Sequence, residues 1–258
     1  VEDDQVHLVS VCTPNDTHAE IAIAALAAGK HVWCEKPMST TLADSTAMAN
    51  AAASSAGKTI IGYNYTKNPA VTHARRLIDN GVIGRVSGFF CRYDVDNEAD
   101  GNRPWSWRMS RAQSGTGSNG DVLSHVISVA HFLTNSSISR VVGDYTIVHK
   151  ERADSQVAGQ TKIVDNDDMV AALIHFENGV KGHIGASRVT WGRKCGLRWE
   201  LHGTEGTIIY DQERLNELKL FTRQDNPATE GFRTILTGPL HEPYAAFLPN
   251  GGHSLGYM

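Results

Sequence analysis

The sequence predicts an α/β chain: a parallel sheet first, then an α+β domain with a mixed, largely antiparallel sheet. Three observations carry this reading. Over residues 1–67, strand-like and helix-like runs alternate with short connections, the pattern of right-handed βαβ units. Beyond Asn68-Pro69 the alternation gives way to strand-like runs paired around turn dipeptides. The length of 258 residues, 41% of them hydrophobic, provides core for two domains without disulfide or metal staples. The expected division is residues 1–67 and 68–258.

Val6 to Cys12 is rich in β-branched residues and reads as a buried parallel strand. Thr13-Pro14-Asn15 breaks it. Thr17-x-x-Glu20 has the form of a capping box for a helix to Ala28, and Gly29 suits its C-terminal stop. His31-Val32-Trp33-Cys34 is the next strand, followed by Glu35-Lys36-Pro37. Thr41-x-x-Asp44 caps a second helix running to about Ala56, and Thr59 to Tyr63 forms a third strand. A helix from about Ala70 to Asp79 ends at Asn80-Gly81, and strands dominate from Val86 onward. Met169–Phe176 and Val180–Ser187 flank Asn178-Gly179, a strong hairpin signal. Leu197–His202 and Thr207–Tyr210 flank Gly203-Thr204-Glu205-Gly206, a second hairpin, and Leu218 to Thr222 reads as a further strand.

Composition narrows the class. The net charge of −4, with no basic run longer than a pair such as Arg75-Arg76, argues against a nucleic-acid surface. No apolar stretch reaches membrane-spanning length, so no membrane partner is expected. Cys12, Cys34, Cys91 and Cys195 show no C-x-x-C spacing, which argues against a zinc ribbon or a redox pair. Cys12 and Cys34 read as small buried hydrophobes, and this usage fits a reducing cytoplasm. The chain opens at Val1 and stops at Gly256-Tyr257-Met258 without a helix terminator. A fragment truncated at both ends is expected, in which a missing signal peptide carries no weight.

Several constellations carry chemistry. Glu35-Lys36-Pro37 ends a strand at the carboxyl edge of a parallel sheet, where ligands bind. Lys36 reads either as a surface lysine in a turn or as a cation aimed into that crevice. Asp121 and His125 are four residues apart in a helix-like stretch from Asn119 to Thr134, on one face with Ser128. Val122, Val126, Val129 and Leu133 line a separate apolar face. A carboxylate beside an imidazole can orient it and raise its basicity, as a general base requires. The structural alternative is an Asp favoured by the helix dipole and a core or solvated His. A zinc site of Asp121, His125 and His131 is disfavoured, because His131 turns off the shared face; no metal is expected. The loop Ser114-Gly115-Thr116-Gly117-Ser118 reads as loose enough for a ligand to approach its backbone. Thr13-Pro14-Asn15 suits a phosphate or ribose contact before a helix N-terminus, or simply a tight turn. Arg103, Trp105, Trp107 and Arg108 suit a sugar face or plain packing. Gly115-x-Gly117-x-x-Gly120 matches the letters of a dinucleotide fingerprint but follows a polar loop rather than a strand, so it is not read as one.

Taken in order, Thr13-Pro14-Asn15 with His18, then Glu35-Lys36-Pro37, then Asp121-x-x-x-His125 resemble the motifs of the Gfo/Idh/MocA family of NAD(P)-dependent oxidoreductases, which act on sugars, inositols and related polyols. The resemblance spans essentially the whole chain. It implies that the first part is a partial Rossmann-type sheet lacking its first, phosphate-binding βαβ unit, and that the second is a substrate-binding and oligomerisation domain. By resemblance the catalytic set is Lys36, Asp121 and His125. Cofactor contacts fall on Thr13, Pro14, Asn15, His18, Glu35, Lys36, Pro37 and Asn64. Substrate contacts fall on Lys36, Trp105, Trp107, Arg108, Asp121 and His125.

The implied function is hydride transfer between a cyclic sugar or polyol carbinol and NAD or NADP, in a homo-oligomer (dimer or tetramer) in the cytoplasm. His125 takes the alcohol proton, Asp121 holds the imidazole and Lys36 stabilises the alkoxide. A catalytically inactive dinucleotide- or sugar-binding relative is the alternative. This polypeptide, without the phosphate loop, is itself expected to bind cofactor poorly. Two departures from the family pattern stand out: Leu123 replaces a glycine and is expected to crowd the helix start, and Ser128 replaces an aspartate.

Overall fold

The computed structural model describes residues 3–223, 227–246 and 250. The last residues, 251–258, where the sequence reading places the run toward a further segment, lie outside the described residues. Contacts divide the chain into two compact units. One holds residues 1–63, 100–124 and 145–169; the other holds 64–99, 125–144 and 170–258. This division is discontinuous, whereas the sequence reading draws one boundary near residue 67.

The first unit contains a parallel sheet in the order β1 (Leu8–Val11), β2 (His31–Cys34), β3 (Thr59–Ile61). Helices α1 (His18–Ala27) and α2 (Leu42–Ser54) supply the crossovers. Its core joins Val11, Val32 and Cys34 of the strands to Ala19, Ala22, Ala25 and Leu26 of α1 and to Met48 of α2. Small alanines on α1 let helix and sheet approach closely, and burial of this apolar surface stabilises the layer. Thr41 caps α2 as expected, its hydroxyl accepting from Asp44 N at 3.0 Å. Thr17 does not make the expected box: its hydroxyl turns back, donating to the Pro14 carbonyl at 2.8 Å. A 3₁₀ turn at Asn15–Thr17 precedes α1 and redirects that side chain.

In the second unit α3 (Pro69–Asp79) starts at an Asn68 cap, whose side chain accepts from Ala70 N at 2.8 Å. It packs on strands of a large mixed sheet. The sheet order is β13-β12-β11-β10-β4-β9-β8-β5. These strands are β4 (Val86–Asp94), β5 (Ile138–Thr146), β8 (Met169–Phe176), β9 (Lys181–Ser187), β10 (Gly196–Gly203), β11 (Gly206–Asp211), β12 (Glu217–Thr222) and β13 (Arg233–Leu236). β4 and β9 pair parallel, while β4–β10, β10–β11, β11–β12 and β12–β13 pair antiparallel. Leu197, Trp199 and Leu201 of β10 are fully buried on one face, the period of two expected of a half-covered sheet. The hairpins at Asn178-Gly179 and Thr204-Glu205 form as read from the sequence.

The first unit also holds α4 (Arg111–Ser114), a π-helical turn at Asn119–Leu123 and the ribbon β6 (Glu151–Ala153) with β7 (Thr161–Ile163), while α5 (Ser124–Thr134) falls almost wholly in the second. Val122, Val126, Val129 and Leu133 are buried as expected. Leu123, the last residue of the π-helical turn, is 4% exposed. Cys34 is buried but Cys12 is exposed, because the strand ends at Val11.

Two outcomes test this description. Thr41→Ala removes the α2 cap and lowers stability by about 1 kcal/mol, read as a fall in Tm of about 2–4 °C. Burial, reinforced by Glu35 and Cys12, pushes the Cys34 thiol up to about 11. At pH 8 its thiolate fraction is then about one thousandth. Brief iodoacetamide treatment followed by mass spectrometry should label Cys12 and spare Cys34; equal labelling contradicts the core assignment.

Candidate active site

The parallel register sets the first feature. Val11 pairs with Cys34, and Glu35 N donates to the Val11 carbonyl at 2.9 Å, so β1 and β2 end side by side. Thr13-Pro14 and Glu35-Lys36 therefore leave the same carboxyl edge, the position at which open α/β sheets bind ligands. Thr13 and Pro14 are exposed there. The chemistry and placement of these two turns fit a nicotinamide cofactor. His18 has a different place from the one expected. Its ring is 1% exposed, with Nδ1 2.9 Å from the Pro37 carbonyl and Nε2 3.0 Å from the Thr13 carbonyl. The imidazole is thus an internal strut between the two turns. Asn15 is likewise engaged, donating through Nδ2 to the Ser114 carbonyl at 3.1 Å. Glu35 lies against Gly62, where a Cβ would sit 3.2 Å from the carboxylate oxygens, a close approach that the Glu35 side chain would have to relieve by a few tenths of an ångström.

Lys36 is held from the far side of the same unit. Its Nζ donates to the Asp121 carbonyl at 2.7 Å and pairs with the Asp121 carboxylate. The two side chains are 18% and 37% exposed, so this ion pair is only partly screened by water. Asp121 sits in the π-helical turn, where Ser124 N reaches back five residues to the Asn119 carbonyl. Such widened turns are frequent at functional sites.

In the second unit His125 is 7% exposed and packs edge-on against aromatic rings. Its ring centre is 4.7 Å from that of Tyr65 and 6.0 Å from that of Tyr93. The two phenol oxygens are 2.6 Å apart, and each lies 3.5 Å from Cys195 Sγ. Burial, followed by hydrogen bonds to Cys195 and Tyr65, raises the Tyr93 phenol far above the usual tyrosine range, keeping it neutral. Tyr65 and Tyr93 were not singled out from sequence. Nothing local marks them, since they are brought to His125 from a 3₁₀ turn and a strand by tertiary packing.

The remaining candidates scatter. Trp105 Nε1 donates to the Ile163 carbonyl at 3.0 Å, and Lys162 Nζ lies 4.9 Å from its ring centre. That indole packs on the β6–β7 ribbon. Trp107 carries the Arg108 guanidinium 4.5 Å above its ring. Asn64 is exposed at the start of a 3₁₀ turn in the second unit. The loop 114–118 is not loose: a Cβ on Gly117 would lie 1.8 Å from the Asp167 carbonyl oxygen. Its glycine admits protein backbone rather than ligand. Asn166, Asp167 and Asp168, all buried, brace the surrounding loops and escaped the sequence reading. Asn166 Nδ2 donates to the Arg108 carbonyl and the Ser114 hydroxyl, each at 2.8 Å. Asp168 accepts from Val148 N at 2.7 Å and His149 N at 3.1 Å. A run of four polar residues, Asp165 to Asp168, directly before a strand is the available signal. Among the described residues no group of three or more His, Cys, Asp or Glu could hold a metal, and no helix is long and apolar enough to cross a membrane.

Comparison with known proteins places these features in a family. The family model described as oxidoreductase family, NAD-binding Rossmann fold, matches residues 1–63. That described as GFO/IDH/MocA C-terminal domain matches residues 71–209. A levoglucosan dehydrogenase of Pseudarthrobacter phenanthrenivorans is 38% identical, over 100% of this chain and 68% of its own length. A solved levoglucosan dehydrogenase in complex with NADH and L-sorbose superposes with TM-score 0.95 at 39% identity, covering 99% of this chain and 67% of that one. An oxidoreductase domain protein from Kribbella flavida superposes with TM-score 0.93 at 41% identity, covering 99% of this chain and 68% of that one. With both halves matched and the lysine and aspartate of its motifs joined in one ion pair, the chain belongs to the Gfo/Idh/MocA family of oxidoreductases.

Proposed function

We propose that this chain carries the catalytic residues of an NAD-dependent dehydrogenase acting on a ring hydroxyl of a cyclic sugar or polyol. The observation that supports it most is the Lys36 ammonium, held by Asp121 at the carboxyl edge of the parallel sheet. The cofactor class follows the Rossmann match, and the substrate class follows the levoglucosan dehydrogenases. When bound, the nicotinamide supplies the acceptor for the hydride leaving the carbinol carbon. The residues of the chain handle the other product, the proton. In this reading His125 accepts the hydroxyl proton as general base, its ring steadied by Tyr65 and Tyr93. Lys36 presents its charge to the oxygen as negative charge develops there. Asp121 keeps that ammonium in place through a charge-assisted hydrogen bond.

A cofactor-reduction assay with levoglucosan and a panel of sugars and inositols tests the activity. Lys36→Met and His125→Ala should each lower kcat by about 100-fold or more while leaving the fold and NADH affinity intact. Near-normal turnover in either variant removes the mechanism. NADH binding with no turnover on any panel member would instead favour a binding protein without catalysis.

Assembly as a dimer or tetramer belongs to the same proposal. The open face of β4, β10, β11 and β12 carries Arg92, Arg198, Glu200, Asp211 and Lys219 around a shallow cavity of about 660 Å³. Mixed charge on a broad sheet face suits a self-complementary interface. Light scattering of the complete protein should return a multiple of the protomer mass; a monomer at every concentration refutes it.

A further inference from the structure

We propose that Asp167 is a positioning residue for the Lys36–Asp121 pair, an inference that rests on the dehydrogenase reading above. Its carboxylate is 7% exposed and receives three donors from consecutive residues. Oδ1 accepts from Gly117 N at 2.9 Å, and Oδ2 accepts from Ser118 Oγ at 3.0 Å and Asn119 N at 2.6 Å. The Asp167 backbone carbonyl accepts from Ser118 N at 2.8 Å. The Gly117–Ser118 peptide is therefore held at both ends, because its carbonyl accepts from Asp121 N at 3.0 Å. The carbonyl of Asp121 in turn takes Lys36 Nζ. Hydrogen bonds thus link Asp167 through the Gly117–Ser118 peptide to Asp121 N, and the carbonyl of the same residue holds the lysine ammonium, so Asp167 fixes the position of the residue that binds Lys36.

Close packing removes slack from this linkage. The 1.8 Å separation that a Gly117 Cβ would have from the Asp167 carbonyl leaves no room for the loop to shift toward Asp167. The Asp167 charge also sits before the first turn of the helical run that carries Asp121, where negative charge is favoured. An ordinary loop brace would need no carboxylate; an amide of equal size accepts through one oxygen only. In Asp167→Asn one side of the group would present N–H to a backbone N–H donor, so the turn must move. A displacement of about 1 Å at a reacting group costs about 100-fold in rate.

The test is a cycle in the complete protein, using the sugar that the assay above identifies. Asp167→Asn should lower kcat about 10- to 100-fold with NADH affinity, read by fluorescence titration, within twofold of the parent. In the Lys36→Met background the same substitution should cost less than twofold, because no ammonium remains to be positioned. An equal loss in both backgrounds, or a parallel loss of NADH affinity, overturns the proposal and leaves the dehydrogenase reading standing. Full activity of Lys36→Met alone sinks both. Should Asp167→Asn fail to fold, Ser118→Ala deletes a single donor. It should show the same dependence on Lys36 with a smaller loss of kcat, and equal losses with and without Lys36 again overturn the proposal.

Discussion

A lysine side chain only 18% exposed has given up most of its water, and an ammonium in that condition needs strong polar partners. Asp121 provides two at once, a carboxylate and a backbone carbonyl. Much of the first unit can be understood as the scaffold that makes this contact reproducible. The parallel register of β1 and β2 fixes where the Lys36 backbone leaves the sheet. The His18 ring fills the space between the turn after Lys36 and the turn after β1, with one ring nitrogen near a carbonyl of each. On the opposite side, the turn carrying Asp121 is held from below by Asp167. The Asp121 side chain is 37% exposed, so water partly solvates it when Lys36 is absent, and the pair is a sensitive point of the chemistry more than of the fold.

The same unit shows how buried polar residues and glycines act together. Asn166, Asp167 and Asp168 are nearly inaccessible, yet each meets donors or acceptors on a different stretch of loop. Long connections in this region have little apolar surface to bury, so hydrogen bonds to a few central side chains must order them. Glycine at 117 is the counterpart of this arrangement, since two backbones meet there with no room for a side chain.

Much of the fold was legible because its signals are local. The β-branched run before Thr13, the Thr41 cap and the turn dipeptide Asn178-Gly179 each act within a few residues, although the strand read as buried from Val6 to Cys12 spans only Leu8–Val11 and buries Val11 alone. What escaped the sequence was equally physical. β5 is exposed along nearly its whole length, so it shows no alternation of apolar and polar residues. The Thr17 box failed because a 3₁₀ turn diverted the hydroxyl to Pro14. The loop around Gly117 looked flexible by composition, but its partner lies 50 residues away. Trp105 kept its identity as an amphipathic aromatic, yet its indole N–H is spent on the β6–β7 ribbon.

By itself the sequence determined the order of the elements, the apolar faces that must be buried, and the residue types able to move a proton or support an alkoxide. Spacing along a strand or a helix suffices for those. Only the tertiary structure decided that Lys36 meets Asp121, that His18 is a strut, that Tyr65 and Tyr93 flank His125, and that Asp167 sets the turn behind Asp121. Each of those contacts joins residues far apart in the chain, and their distances follow from packing and hydrogen-bond satisfaction in three dimensions, which no local pattern encodes.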